Sequence, residues 1–160
     1  MIVLGIDPGL VQTGYGLIKI NGDNKEVLDY GTISPNSKDS LSKRLYTIYS
    51  DLIKIIDDFN PHTMAIEEVF YGKNVKSALL LGHARGAAMV CASKYNIPVF
   101  EYSARKIKQS ITGNGNAHKT QVKFMIMKEL RLKEFNAPID ASDALAIAIC
   151  HLYQLKLDEL

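Results

Sequence analysis

Met1-Ile-Val-Leu-Gly-Ile-Asp-Pro-Gly9 opens the chain with an apolar, β-branched run that stops at an acid, a proline and a glycine. Residues 2–6 read as a buried strand, and Asp7-Pro8-Gly9 as the turn that ends it. Working outward, residues 13–20 alternate as a strand, Asn21-Gly22-Asp23-Asn24 turns the chain, and residues 26–34 return to complete a hairpin. Residues 40–59 carry Leu41, Leu45, Ile48, Leu52, Ile55 and Ile56 at helical spacing, ended by Asn60-Pro61. Strands are predicted over 63–67 and 99–102, with a long Ala- and Leu-rich helix over 74–95 between them. A short helix over 104–110, a polar loop at 113–118 and a basic helix over 118–130 follow. Pro138-Ile139-Asp140 introduces a last helix to about residue 155. This order predicts a mixed α/β fold, a five-stranded sheet flanked by helices with the hairpin at one side. In such sheets ligands gather beyond the carboxyl ends of the parallel strands, so the residues that terminate strands matter most.

The chain has 160 residues and 17.8 kDa, the size of one domain, and its 47% hydrophobic content suits a globular core. Cys91 and Cys150 stand apart in apolar surroundings with no CxxC, which suggests a reducing, cytoplasmic setting. The opening apolar stretch lacks a basic leader and is too short to span a bilayer, so no membrane association is expected.

Net charge is only +2, but between residues 72 and 134 there are 12 Lys/Arg against 3 Asp/Glu, while the rest of the chain holds 7 against 14. Such a basic tract suits a polyanion, although solvated helix faces produce the same count.

The acids break the tie. Two apolar strands end in one, Gly5-Ile6-Asp7 and Ala65-Ile66-Glu67, and the last helix opens with Asp140-Ala-Ser-Asp143. A carboxylate at the end of a buried strand is costly unless a cation or donor compensates it. Several brought together call for a hard divalent ion, Mg²⁺ or Mn²⁺ rather than Zn²⁺. Singly, each acid has an ordinary explanation: Asp7 as a turn former, Asp140 as a helix cap, Asp143 as a partner of the helix dipole. Glu67 has less of one, because acids are depleted in strands. The chain has no P-loop, HExxH or GxSxG motif, and His62, His83, His118 and His151 show no ligand-like pairing.

Five stretches, in order, carry a resemblance. Gly5-Ile-Asp-Pro-Gly9 with Thr13-Gly-Tyr-Gly16, Ala65-Ile-Glu-Glu-Val-Phe70, Ser77-Ala-Leu-Leu-Leu-Gly-His-Ala-Arg-Gly86, Pro98-Val-Phe-Glu-Tyr102 and Asp140-Ala-Ser-Asp-Ala-Leu-Ala146 resemble the bacterial Holliday-junction resolvases of the RuvC family. The resemblance implies an RNase H-like fold, a homodimer, and symmetric, metal-dependent cleavage of four-way DNA junctions in recombination and repair. It implies a metal site of Asp7, Glu67, Asp140 and Asp143 holding two Mg²⁺ ions, with Mn²⁺ as a substitute. Lys119 then acts near the scissile phosphate, and Phe70 stacks on a junction base. Lys73, Lys76, Arg85, Arg105 and Lys108 become candidate DNA contacts, and the branch-migration proteins RuvA and RuvB candidate partners. Glu68 stands where many members of the family carry an amide. The helix over 74–95 has Ala78, Gly82 and Gly86 at four-residue spacing, a flat stripe expected to help form the dimer.

Other classes fit less of the sequence. An actin-like phosphotransferase shares the Asp7-Pro-Gly9 loop but needs two such domains to enclose a nucleotide. The RNA-processing nucleases of the YqgF family share the opening motif but not the later ones. A non-enzymatic junction binder has no use for the four acids.

Overall fold

The computed structural model describes residues 1–69, 72 and 74–158. Phe70 and Lys73, both expected at the DNA, lie outside the described residues. The elements run β1 (Ile2–Asp7), β2 (Thr13–Asn21), β3 (Asn24–Ile33), α1 (Leu41–Phe59), β4 (Thr63–Glu67), α2 (Val75–Lys94), β5 (Val99–Tyr102), α3 (Ala104–Thr112), α4 (Lys119–Glu129) and α5 (Ile139–Asp158). Most boundaries fall within two residues of the sequence reading. At the helix ends, caps set the limits. Ser40 and Ser103 accept N-terminal amides of α1 and α3, and Gly113 closes α3 in the left-handed region at φ 76°.

One sheet carries the fold, in the order β3-β2-β1-β4-β5, with β1–β4 and β4–β5 parallel and the β2–β3 hairpin antiparallel at one edge. The two-residue strand period divides its side chains between two cores. Leu4, Ile6, Leu17, Met64 and Ile66 face α1 and α2, meeting Ile48, Leu52, Ile56, Ala84, Ala88 and Cys91. Val3, Ile18 and Ala65 face α3, α4 and α5, meeting Ile107, Val122, Ile126, Leu145 and Ile149.

The same period decides where the acids go. Asp7 follows Val3 and Gly5 on the α5 face of β1, and Glu67 follows Ala65 on the α5 face of β4. Ile6 pairs with Ile66, so Asp7 and Glu67 end adjacent parallel strands on one face. Glu68 is exposed beyond the strand, its amide donating to the Tyr102 carbonyl at 2.9 Å.

Helix α5 lies directly on the glycines of β1 and β2. A Cβ on Gly5 would sit 2.1 Å from the Ala144 carbonyl oxygen, one on Gly14 2.0 Å from that of Asp140, and one on Gly16 2.7 Å from Leu145. No side chain fits there, so the Gly14-Tyr15-Gly16 stretch serves close helix approach. We expect Gly14→Ala to cost about 1–3 kcal/mol in urea unfolding, as overpacking does. Gly82→Ala on α2 meets nothing within 4 Å. It should leave the protomer as stable or more stable, by up to about 1 kcal/mol.

A second buried feature sits at the far side of α5. His151 is fully buried, its Nδ1 2.8 Å from the Tyr102 hydroxyl and its ring 4.3 Å from that of Phe100. Burial pushes its pKa below the ordinary 6.5. The folded protein therefore resists a proton that the unfolded chain accepts, so this contribution is whole above about pH 6.5 and declines as pH falls. The expected result is that the wild-type urea midpoint, measured relative to His151→Phe, falls between about pH 7.5 and 5.

Candidate active site

Four elements deliver the site. The ends of β1 and β4 present Asp7 and Glu67, and the first turns of α5 and α4 present Asp140 with Asp143, and Lys119. Asp140 and Asp143 lie one turn apart on one face of α5, and the glycine contacts press that turn onto the end of β1. The result is a cluster: one carboxylate oxygen from each of Asp7, Asp140 and Asp143 lies within 4.8 Å of the others, all three side chains half-buried. Glu67 joins at Asp7, whose proton affinity its charge raises, and both line the same cleft.

Concentrating acids in this way is electrostatically costly, and their proton affinities record it. Burial, and then the charges of Glu67, Asp143 and Asp140, raise the Asp7 pKa to about 8, with Lys119 opposing. Burial also raises Glu67 and Asp143 above the carboxylate range. The acids therefore resist being fully ionised together, and a nearby cation relieves them.

Compensation comes from three sources. The amino end of α5 favours the acid in its first turn. The ammonium of Lys119 lies 3.1 Å from Asp143, whose charge holds the lysine protonated. A lysine at the start of α4 opposes that helix's own dipole, and the carboxylates supply the charge that tolerates it. Lys108 of α3 forms another wall, so Asp7, Glu67, Lys108, Lys119 and Asp143 all line one cleft of about 140 Å³, floored by Ile107, Val122 and Ile147.

The donor set is all oxygen, clustered, and lacks enough positive charge of its own, which fits hard divalent cations and not zinc. The positions expected from the sequence for a metal site are thus brought together. The other expected contacts divide. Lys76 and Arg105 are exposed and Lys108 lines the cleft. Arg85 is turned inward instead: its Nε donates to the Glu67 carbonyl at 3.3 Å and its guanidinium pairs with Glu101. A basic residue in a basic tract carries no mark, in the sequence, of such an inward partner. Glu101, the one acid between Lys94 and Arg105, was the available signal.

A family profile described as "Crossover junction endodeoxyribonuclease RuvC" matches residues 3–151. The chain belongs to the RuvC family. The RuvC of Alkaliphilus oremlandii is 47% identical over 160 residues, covering 100% of this chain and 98% of its own. That of Ruminiclostridium cellulolyticum is 46% identical over 151 residues, covering 94% and 91%. Among solved structures, Thermus thermophilus RuvC superposes with a TM-score of 0.90 at 30% identity, over 99% of this chain and 97% of that one. The same RuvC described in complex with Holliday junction substrate superposes at 0.92 and 30% identity, over 99% and 96%. The RNase H-like sheet is therefore the architecture of the RuvC proteins, as the sequence resemblance implied.

Removing a charge from the RuvC-type carboxylate cluster should relieve its repulsion. Asp7→Asn is expected to raise the stability of the metal-free protein by about 0.5–2 kcal/mol, a few degrees in a calorimetric scan with chelator. A gain in thermal stability on adding a divalent cation is expected of the wild type and should be lost in the same variant.

Proposed function

We infer that this protein is a crossover junction endodeoxyribonuclease that resolves Holliday junctions in DNA recombination and repair by metal-dependent phosphodiester hydrolysis. The observation that carries this is the carboxylate trio within 4.8 Å, joined by Glu67, in a chain that matches the RuvC family over residues 3–151.

Asp7, Glu67, Asp140 and Asp143 are the residues that would hold the metal, two Mg²⁺ ions in our reading, with Mn²⁺ able to replace them. When bound, such ions supply activation of water and stabilisation of the departing oxygen. Asp7 clusters with the α5 acids and lines the same cleft as Glu67, so it would be the central ligand of such a site. Lys119 is placed to neutralise charge that develops on the phosphoryl oxygens, its ammonium already against Asp143. Lys108 on the opposite wall is suited to anchor the phosphate, with the exposed Lys76 and Arg105 contacting the backbone further out. The cleft lies at the carboxyl ends of β1 and β4, the side on which such sheets bind ligands.

A four-way junction needs two matched cuts, and a C2 homodimer presents two equivalent sites. Helix α2 is suited to form the contact. It is apolar on both faces: Ala84, Ala88, Cys91 and Ala92 are buried against the sheet, while Val75, Leu79 and Val90 are 65%, 62% and 59% exposed. Between them Gly82 and Gly86 leave open space rather than packing internally. No helix among the described residues is long and apolar enough to cross a membrane, and we place the enzyme in the cytoplasm with the DNA. RuvA and RuvB, which move junctions, are the partners that the family relationship suggests.

The decisive assay incubates the protein with synthetic four-way junctions and linear duplex, with and without Mg²⁺. Paired nicks in the junction alone, and only with metal, are expected. Asp7→Asn should abolish cutting and retain junction binding, since the lost charge belongs to the metal site. Lys119→Ala should slow cutting by about 10²–10³-fold. Leu79→Glu should yield a monomer by sedimentation, with paired nicking lost; an unchanged dimer would remove α2 from the interface.

A further inference from the structure

The peptide unit joining Glu67 to Glu68 is held at both ends. Its N–H, on Glu68, donates to the Tyr102 carbonyl of β5 at 2.9 Å, and its C=O, on Glu67, accepts from Arg85 Nε of α2 at 3.3 Å. Arg85 is in turn fixed by its ion pair with Glu101, the β5 residue that registers with Ile66. Its side chain is only 19% exposed, and Glu101 balances its charge. A guanidinium so engaged has little to offer a phosphate in solvent.

The plane of that peptide determines ψ of Glu67, and ψ relates the carbonyl to the Cα–Cβ bond of the same residue. β4 ends here, with the Glu68 amide still tied to Tyr102 of β5 and the Glu67 carbonyl held by Arg85. Whatever pins the carbonyl also aims the carboxylate. A fork of planar donors can grip a carboxylate and a carbonyl together, which a lysine ammonium does less well.

We propose that Arg85 is a positioning residue: braced by Glu101, it locks the terminal peptide of β4 and so sets the direction in which the Glu67 carboxylate enters the metal-binding cluster. This deepens the functional reading above and rests on its assignment of Glu67 to the metal site. The role differs from a DNA contact, which would act on binding, and from general bracing of the fold, which would act on stability alone.

The test uses the full chain in four forms: wild type, Arg85→Ala, Arg85→Lys and Glu101→Gln. Mn²⁺ affinity of the DNA-free protein is measured by titration calorimetry. Junction affinity is measured in Ca²⁺ at several salt concentrations, and single-turnover cleavage at saturating protein. Arg85→Ala should weaken Mn²⁺ binding and slow cleavage, each by about 10–100-fold, as loss of a group supporting a ligand does. Its junction Kd should stay within about twofold, with an unchanged salt slope. Arg85→Lys should remain close to the alanine variant, and Glu101→Gln should follow the same pattern at smaller size.

Wild-type Mn²⁺ affinity in Arg85→Ala overturns the proposal. So does a weaker junction complex whose salt slope has dropped by about 1, the mark of a lost phosphate contact. If Arg85→Ala does not fold, Glu101→Gln decides by the same measurements, with wild-type Mn²⁺ affinity again the overturning result. Glu67→Gln separates the two levels of inference. If it leaves Mn²⁺ binding intact, the assignment of Glu67 to the metal site fails; if it weakens binding while Arg85→Ala does not, only the positioning role fails.

Discussion

Backbone contact between α5 and the glycine faces of β1 and β2 is the constraint on which the rest of the structure depends. Gly5, Gly14 and Gly16 leave no room for a Cβ beneath Asp140, Ala144 and Leu145. The helix therefore lies closer to the sheet than side-chain packing would allow. That closeness brings the first turn of α5 to the end of β1 and draws Asp140 and Asp143 to Asp7. A few ångströms of extra separation would leave four ordinary surface acids in place of a cluster within which a cation can be shared.

The arrangement sets function against stability. Carboxylates buried near one another raise each other's proton affinity, and burial together with that repulsion lifts Asp7 to about 8. Lys119 and the amino end of α5 offset part of this, but they do not neutralise it. The basic tract from residue 72 to 134 has a structural counterpart here: it contributes α3 and α4, which set Lys108 and Lys119 on the walls of the cleft. Cations and acids thus stand side by side in one cleft, the Lys119 ammonium 3.1 Å from Asp143.

Strand and helix patterns made most of the architecture legible in the sequence. Apolar runs bounded by Asp7-Pro8-Gly9, Asn60-Pro61 and Asn96-Ile97-Pro98 marked the elements, and the period of two made Glu67 an acid with an uncommon position. The cluster could be suspected because all four acids stood at element ends. Pairings were another matter. Arg85 looked like any other cation of its tract, and only the register of β5 beside β4 shows that Glu101 is within its reach. Gly14 and Gly16 read as strand residues, because a glycine's purpose lies in what approaches it. The outward stripe of α2 was visible as spacing, whereas its openness depends on which face the sheet claims first.

By itself the sequence determined the kinds and order of the elements, the family, and the positions of the acids along the chain, since these follow from local periodicity, turn chemistry and motif order. Only the tertiary structure decided which groups meet: Asp7 with Asp140 and Asp143, Lys119 with Asp143, Arg85 with Glu101, and His151 with Tyr102. The reason is physical. Local patterns are set by neighbours a few residues apart, whereas these contacts join residues from 16 to 136 positions apart and arise only when both faces of the sheet have been covered.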